Sequence, residues 1–154
     1  TALLLTRQNV PQVATLDQAV DGVAQGGYVL HEEEGEGDPL ILIGTGSELH
    51  LCVEARTQLQ GKGIPTRVVS MPCMDRFLRQ DRTTRDSVLP PSIQKRLSVE
   101  AGRTFGWEAV VGLAGASVGI DTFGESAPAD VLAEHFGFTV ENVVSRALEL
   151  HAAG

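Results

Sequence analysis

The chain has 154 residues, 42% of them hydrophobic and 21% charged, which suits one globular domain able to bury roughly 70% of its unfolded surface. Its 20 Asp and Glu against 12 Lys and Arg leave a net charge of −8 with the histidines neutral, and so acidic a surface excludes a broad phosphate-backbone interface and, with it, nucleic-acid binding. No apolar run approaches the roughly 18–20 residues that span a bilayer, and the N-terminus carries no secretory signal, so no membrane partner is expected.

In chain order, the first five residues, TALLL, read as a short buried strand. With no partner strand before it, that strand is expected to be the last one of another domain. Thr15 and Gln18 have capping-box spacing and open a helix that Gly26-Gly27 should end. Tyr28-Val29-Leu30 reads as a strand, followed by a hairpin-like acidic loop over 32–38 that reads as a solvated turn, since consecutive carboxylates on a loop do not converge on one metal ion. Leu40-Ile-Leu-Ile43 is a continuous apolar run, the mark of a strand covered on both faces.

Thr45 to Glu48 repeats the capping-box spacing, and Leu49, Cys52, Val53 and Leu59 give the helix after it an apolar side that Gly61 and Gly63 bring to an end. Arg67 to Ser70 and Leu97 to Glu100 read as further strands, with a polar, partly helical stretch from Asp75 to Pro91 between them. Val110 to Leu113 and Ser117 to Ile120 read as short strand pieces around glycines. Pro128 begins a helix that Gly137 ends, and Thr139 caps a final amphipathic helix through Val140, Val143, Val144, Ala147, Leu148 and Leu150. Alternating strands and helices predict an α/β fold, a three-layer α/β/α sandwich on a mostly parallel sheet.

Chemistry is sparse along this chain. Gly44-Thr45-Gly46 lies where a strand turns into a helix, a place that can hold phosphate. The third glycine of a dinucleotide fingerprint is replaced by Leu49, and Glu48 stands near the position of a P-loop lysine, so the segment reads as a plain tight turn. Arg76, Arg79, Arg82 and Arg85 recur every third residue, but Asp75, Asp81 and Asp86 are interleaved, and the stretch reads as a salt-bridged exposed face. His31, His50, His135 and His151 are scattered without metal-ligand spacing. Cys52 and Cys73 form neither a CxxC pair nor a disulfide framework and read as free thiols in a reducing cytoplasm. No GxSxG elbow is present. The residues alone therefore give no catalytic, cofactor-binding or metal-binding set. Arg7 directly follows a buried-type strand, where parallel sheets commonly meet ligands, and its guanidinium fork suits phosphate oxygens. From position alone, an ordinary surface role remains the better reading for it.

Seven pieces in order then resemble transketolase: Thr6-Arg-Gln-Asn9 with Pro11; Gly26-Gly-Tyr-Val-Leu30; Ile43 to Glu48; Val68 to Pro72; Ser87 to Pro90 with Val99 to Gly102; Asp121 to Pro128; and Phe136 to Asn142. The resemblance covers nearly the whole chain. It implies that residues 1–26 are the end of the middle, pyrimidine-binding domain plus a linker, and that 27–154 are the C-terminal domain, with a mixed five-stranded sheet. It implies a transferase that moves a two-carbon ketol unit from a ketose phosphate to an aldose phosphate in the pentose phosphate pathway. Thiamine diphosphate and Mg2+ or Ca2+ would be held by the N-terminal and middle domains of a homodimer. Of the family's substrate residues only one falls here, Arg7, which would hold the phosphate of the sugar. The segment alone is expected to bind no cofactor and to be inactive, with a structural and assembly role. Thr84 departs from the tyrosine often found before Arg85. Sibling enzymes, a dihydroxyacetone synthase or a deoxyxylulose-phosphate synthase, are the alternatives, the Arg-Gln-Asn and Met-Pro pieces arguing against the second. A non-catalytic regulatory or assembly module is the reading from a different class.

Overall fold

The computed structural model describes residue 6 and residues 8–153. The strand expected over residues 1–5 and the candidate ligand residue Arg7 lie outside the described residues.

Five strands form one mixed sheet: β1 (Tyr28–His31), β2 (Leu40–Gly44), β3 (Thr66–Ser70), β4 (Arg96–Val99) and β5 (Ala116–Val118), in the spatial order β1-β3-β2-β4-β5. β1 runs antiparallel to β3, and the remaining neighbours are parallel, with Leu42 opposite both Val68 and Leu97. Every residue of β2 is buried, as its unbroken apolar run requires. Successive side chains of a strand point to opposite faces. Leu40 and Leu42 accordingly join one core, with Val68, Leu97 and Val99, whereas Ile41 and Ile43 join the other, with Val69.

The first core is covered by α2 (Leu49–Gly61) and α7 (Val140–Ala152), which bring in Cys52, Ala55, Leu59, Val143 and Ala147. The second is covered by α3 (Met74–Leu78), α4 (Arg82–Val88) and α5 (Glu108–Val111), through Phe77, Val88 and Val110, with Trp107 just ahead of α5. Two helical layers around a sheet make the expected three-layer sandwich. α1 (Leu16–Gln25) leans on β1, and α6 (Ala129–Phe136) precedes α7.

Local signals explain most boundaries. The capping box at Thr15 and Gln18 is complete, and Gly26 closes α1 at φ 88°. Thr139 accepts from the Asn142 backbone N–H at the start of α7.

Three segments differ from the sequence expectations. The 32–38 loop is no hairpin, because β1 pairs with β3 and the loop must pass over to β2. Nor is it a merely solvated turn: Arg67 holds Glu32 at 2.6 Å and also takes both oxygens of Glu33, and Arg56 holds Glu34 at 3.1 Å. No capping box forms at Thr45, since residues 46–48 make a 3-10 turn and the side chain of Thr45 caps nothing. Residues 108–111 are a helical turn rather than a strand; Gly112 ends it at φ 74° with its N–H on the Glu108 carbonyl.

Candidate functional site at the carboxyl ends of the strands

From β2 the chain crosses to β3 on one side and then returns to β4 on the other. The loops after β2 and β4 therefore diverge, which is where open α/β sheets leave a crevice for ligands. Two adjoining cavities open there, of about 570 and 340 Å3. Gln8 and Glu48 line both, Gly124, Glu125 and Pro128 line the larger, and Asn9 and His50 the smaller. Three stretches far apart in sequence thus meet: 8–10, 47–51 and 120–138.

Gly44 makes the close turn possible. A Cβ on it would lie 2.9 Å from the Leu49 Cα and 3.0 Å from the Cys52 sulfur. The turn then brings Glu48 over the crevice. One Glu48 carboxylate oxygen accepts from the Ser47 hydroxyl at 2.6 Å, and the other accepts from the Ala101 backbone N–H at 3.2 Å, beyond β4. The protein's own carboxylate thereby takes a backbone donor that an anion would use. His50 places Nδ1 2.6 Å from the Ser47 carbonyl oxygen; since a carbonyl only accepts, that nitrogen carries the proton.

Next to Ile120, which lines the larger cavity, Asp121 accepts from the Thr104 hydroxyl at 2.7 Å and from its backbone N–H at 3.1 Å. Those bonds, the hydroxyl's first, with the Arg103 charge adding to them, hold the Asp121 carboxyl below the ordinary carboxylate range. Directly after β4, Glu100 accepts from the Trp107 indole N–H at 2.8 Å. Cys52 is fully buried, and burial, with the Glu48 charge beside it, pushes its thiol up to about 12, so it is an inert packing group.

The crevice is acidic, with Glu48, Glu125 and Asp130 on its walls, and among the described residues no three His, Cys, Asp or Glu side chains converge as metal ligands. These residues therefore do not fit thiamine diphosphate or its divalent metal: a diphosphate at the Gly44–Glu48 turn would meet a carboxylate already bound there. Gln8 and Asn9, not singled out as site residues from the sequence, line the crevice; their signal was membership of the Thr6-Arg-Gln-Asn9 piece. The four histidines remain apart, and His151 instead sets its Nε2 3.0 Å from the Asp38 carbonyl oxygen.

Comparison with known proteins places this architecture. The family model described as the transketolase-like TK C-terminal domain matches residues 26–139. Transketolase 1 of Escherichia coli K12 is 51% identical over 150 residues, which is 97% of this chain and 22% of that protein. Transketolase from Leishmania mexicana superposes with a TM-score of 0.81 at 41% identity, over 94% of this chain and 20% of that one. A Pichia stipitis transketolase solved in complex with sedoheptulose-7-phosphate gives a TM-score of 0.81 at 36% identity, over 95% and 20%. The chain thus spans about a fifth of the length of the relatives it matches. A family match over most of the chain, a fold in agreement and half-identical relatives together assign it: this chain belongs to the transketolase-like C-terminal domain family.

Proposed function

We propose that this chain is the C-terminal part of a transketolase that transfers a two-carbon ketol unit from a ketose phosphate to an aldose phosphate in the cytoplasm. The observation carrying this reading is the 51% identity to transketolase 1 of Escherichia coli along 97% of the chain. Residues 1–26 are the end of the middle domain with its linker, and 27–154 the C-terminal domain. The N-terminal and middle domains hold thiamine diphosphate and a divalent metal, Mg2+ or Ca2+, and the intact enzyme is a homodimer. The Glu48 carboxylate, which already accepts from the Ala101 backbone N–H at the Gly44–Glu48 turn, supports assigning the diphosphate to those other domains. Alone, the segment is inactive, and its role is structural.

Its one contribution to substrate binding is Arg7, whose guanidinium holds the sugar phosphate. What supports this role is the family match of the Thr6-Arg-Gln-Asn9 piece. Phosphate is remote from the reacting carbons, so its binding energy serves to position them. A charge-assisted hydrogen bond contributes about 1.5–3 kcal/mol, or about 10- to 150-fold in affinity. In the intact enzyme, Arg7→Ala is expected to lower kcat/KM for phosphorylated sugars by about that factor while leaving unphosphorylated ketoses nearly unaffected. Equal loss for both substrate types, measured by steady-state kinetics, would overturn the assignment.

A further inference from the structure

A second concave site lies at the opposite, amino-terminal end of β4, and its charge is the reverse of the molecule's. Arg82, Arg85, Arg96 and Asp86 line a cavity of about 480 Å3 whose apolar wall includes Phe77 and Val110. Three guanidinium groups against one carboxylate leave +2 there, on a chain of net charge −8.

The three arginines are held differently. Arg82 pairs with Asp86 at 3.2 Å, near the solvent. Arg96 is fixed by carbonyl oxygens alone, those of Ile93 and Val110 at 2.8 Å, Pro90 at 2.9 Å and Leu89 at 3.2 Å. It is rigid, and among the described residues no carboxylate pairs with it. Burial lowers the Arg96 pKa and the Asp86 charge only partly opposes this, as expected of a cation lacking a close counter-ion. Arg85 has a buried Nε with no hydrogen-bond partner, and no carboxylate pairs with it among the described residues. Buried polar groups are satisfied in the great majority of cases, so each exception calls for a reason. The Asp81 carboxylate, near Arg85 in sequence, is spent on capping α4, where it accepts from the backbone N–H and hydroxyl of Thr84 at 3.0 Å each.

We propose that this cavity is a binding site for a small phosphomonoester, with Arg85 and Arg96 receiving the phosphate and the accessible apolar wall of Leu78 and Pro91 receiving the carbon body. A tetrahedral oxyanion supplies the missing counter-charge for both arginines, which line the cavity without a paired carboxylate of their own among the described residues. The cavity exceeds a bare phosphate in size and falls in the range typical of small-molecule sites.

Calorimetric titration of the 154-residue chain carrying Arg7→Ala, which removes the other proposed phosphate-binding residue, with ribose 5-phosphate, ribose and inorganic phosphate tests this, alongside the same chain with Arg85→Gln or Ala109→Glu added. Ala109 is an exposed rim residue, so its replacement sets a carboxylate at the cavity without disturbing the core and keeps the test open should Arg85→Gln fail to fold. Saturable binding of ribose 5-phosphate, tighter than phosphate and absent for ribose, is expected, weakened about tenfold or more by adding Arg85→Gln or Ala109→Glu. Inorganic phosphate binding as tightly as ribose 5-phosphate would overturn the phosphomonoester assignment in favour of a free-phosphate site. No saturable binding, or binding indifferent to the cavity variants, would overturn the site itself. Because Arg7 is absent from every chain titrated, failure here leaves the proposed function standing.

Discussion

Arg67 stands on β3, 7% exposed, and its charge is answered from a distant loop. Glu33 accepts from its Nε and, at 3.2 Å, from a terminal nitrogen, while the carbonyls of Ser87 and Val88 accept from the other terminal nitrogen at 2.8 and 3.1 Å. One side chain thus ties the 32–38 loop and the end of α4 to the sheet. Burial pushes the Glu33 carboxyl up, but the Arg67 hydrogen bond, a backbone hydrogen bond and the Arg67 charge together bring it below its ordinary 4.5. A carboxyl depressed in the folded state stabilises it above the unfolded value and loses that contribution as pH falls through the folded one. Stability is therefore expected to fall as the pH drops below about 4.5. Glu33→Gln should lower the denaturation midpoint at neutral pH and flatten this acid decline; an unchanged pH profile in chemical denaturation would contradict the role. None of this was legible in three consecutive glutamates, because their partners lie more than twenty positions away.

Among the elements, those with complete local signals were read correctly. α7 carries its apolar positions at helical spacing and a threonine cap, and β2 an unbroken apolar run that only a doubly covered strand explains. The misread pieces are those whose conformation is decided from outside. Glu48 spends its carboxylate on Ala101, 53 positions on, so no box closes at Thr45. Val110 and Val111 sit in too short an apolar run for periodicity to tell strand from helix. The arginine repeat is the exposed, salt-bridged face expected, through Arg79 with Asp75 and Arg82 with Asp86; what the sequence did not show is that folding brings Arg96 from the next strand to the same cavity as Arg82 and Arg85. The β2–α2 junction offers the sharpest element-level test. Gly44→Ala forces a methyl against the Leu49 backbone and the Cys52 sulfur, and overpacking of this kind costs about 1–3 kcal/mol. A melting temperature lower by about 2–10 °C is expected for a chain of this length; an unchanged Tm would show that the junction yields freely.

At the scale of the whole molecule, the fold and the family were both readable, the fold from alternating apolar runs and the family from seven short pieces in order. The crevice was not, because it is assembled from loops that meet only when the sheet switches direction. Exposed apolar side chains mark surface that the described residues leave uncovered: Leu16, Val20 and Val23 run along one face of α1, and Phe105, Leu113 and Phe123 stand out elsewhere. Such surface in a chain spanning about a fifth of its relatives fits a module that works as part of a larger assembly. The most direct test of that account is a graft of residues 1–154 in place of the matching segment of Escherichia coli transketolase 1, assayed for ketol transfer beside the isolated chain. The graft is expected to turn over phosphorylated sugars and the isolated chain to show no turnover with thiamine diphosphate and Mg2+; turnover by the isolated chain, or a folded graft without activity, would contradict it.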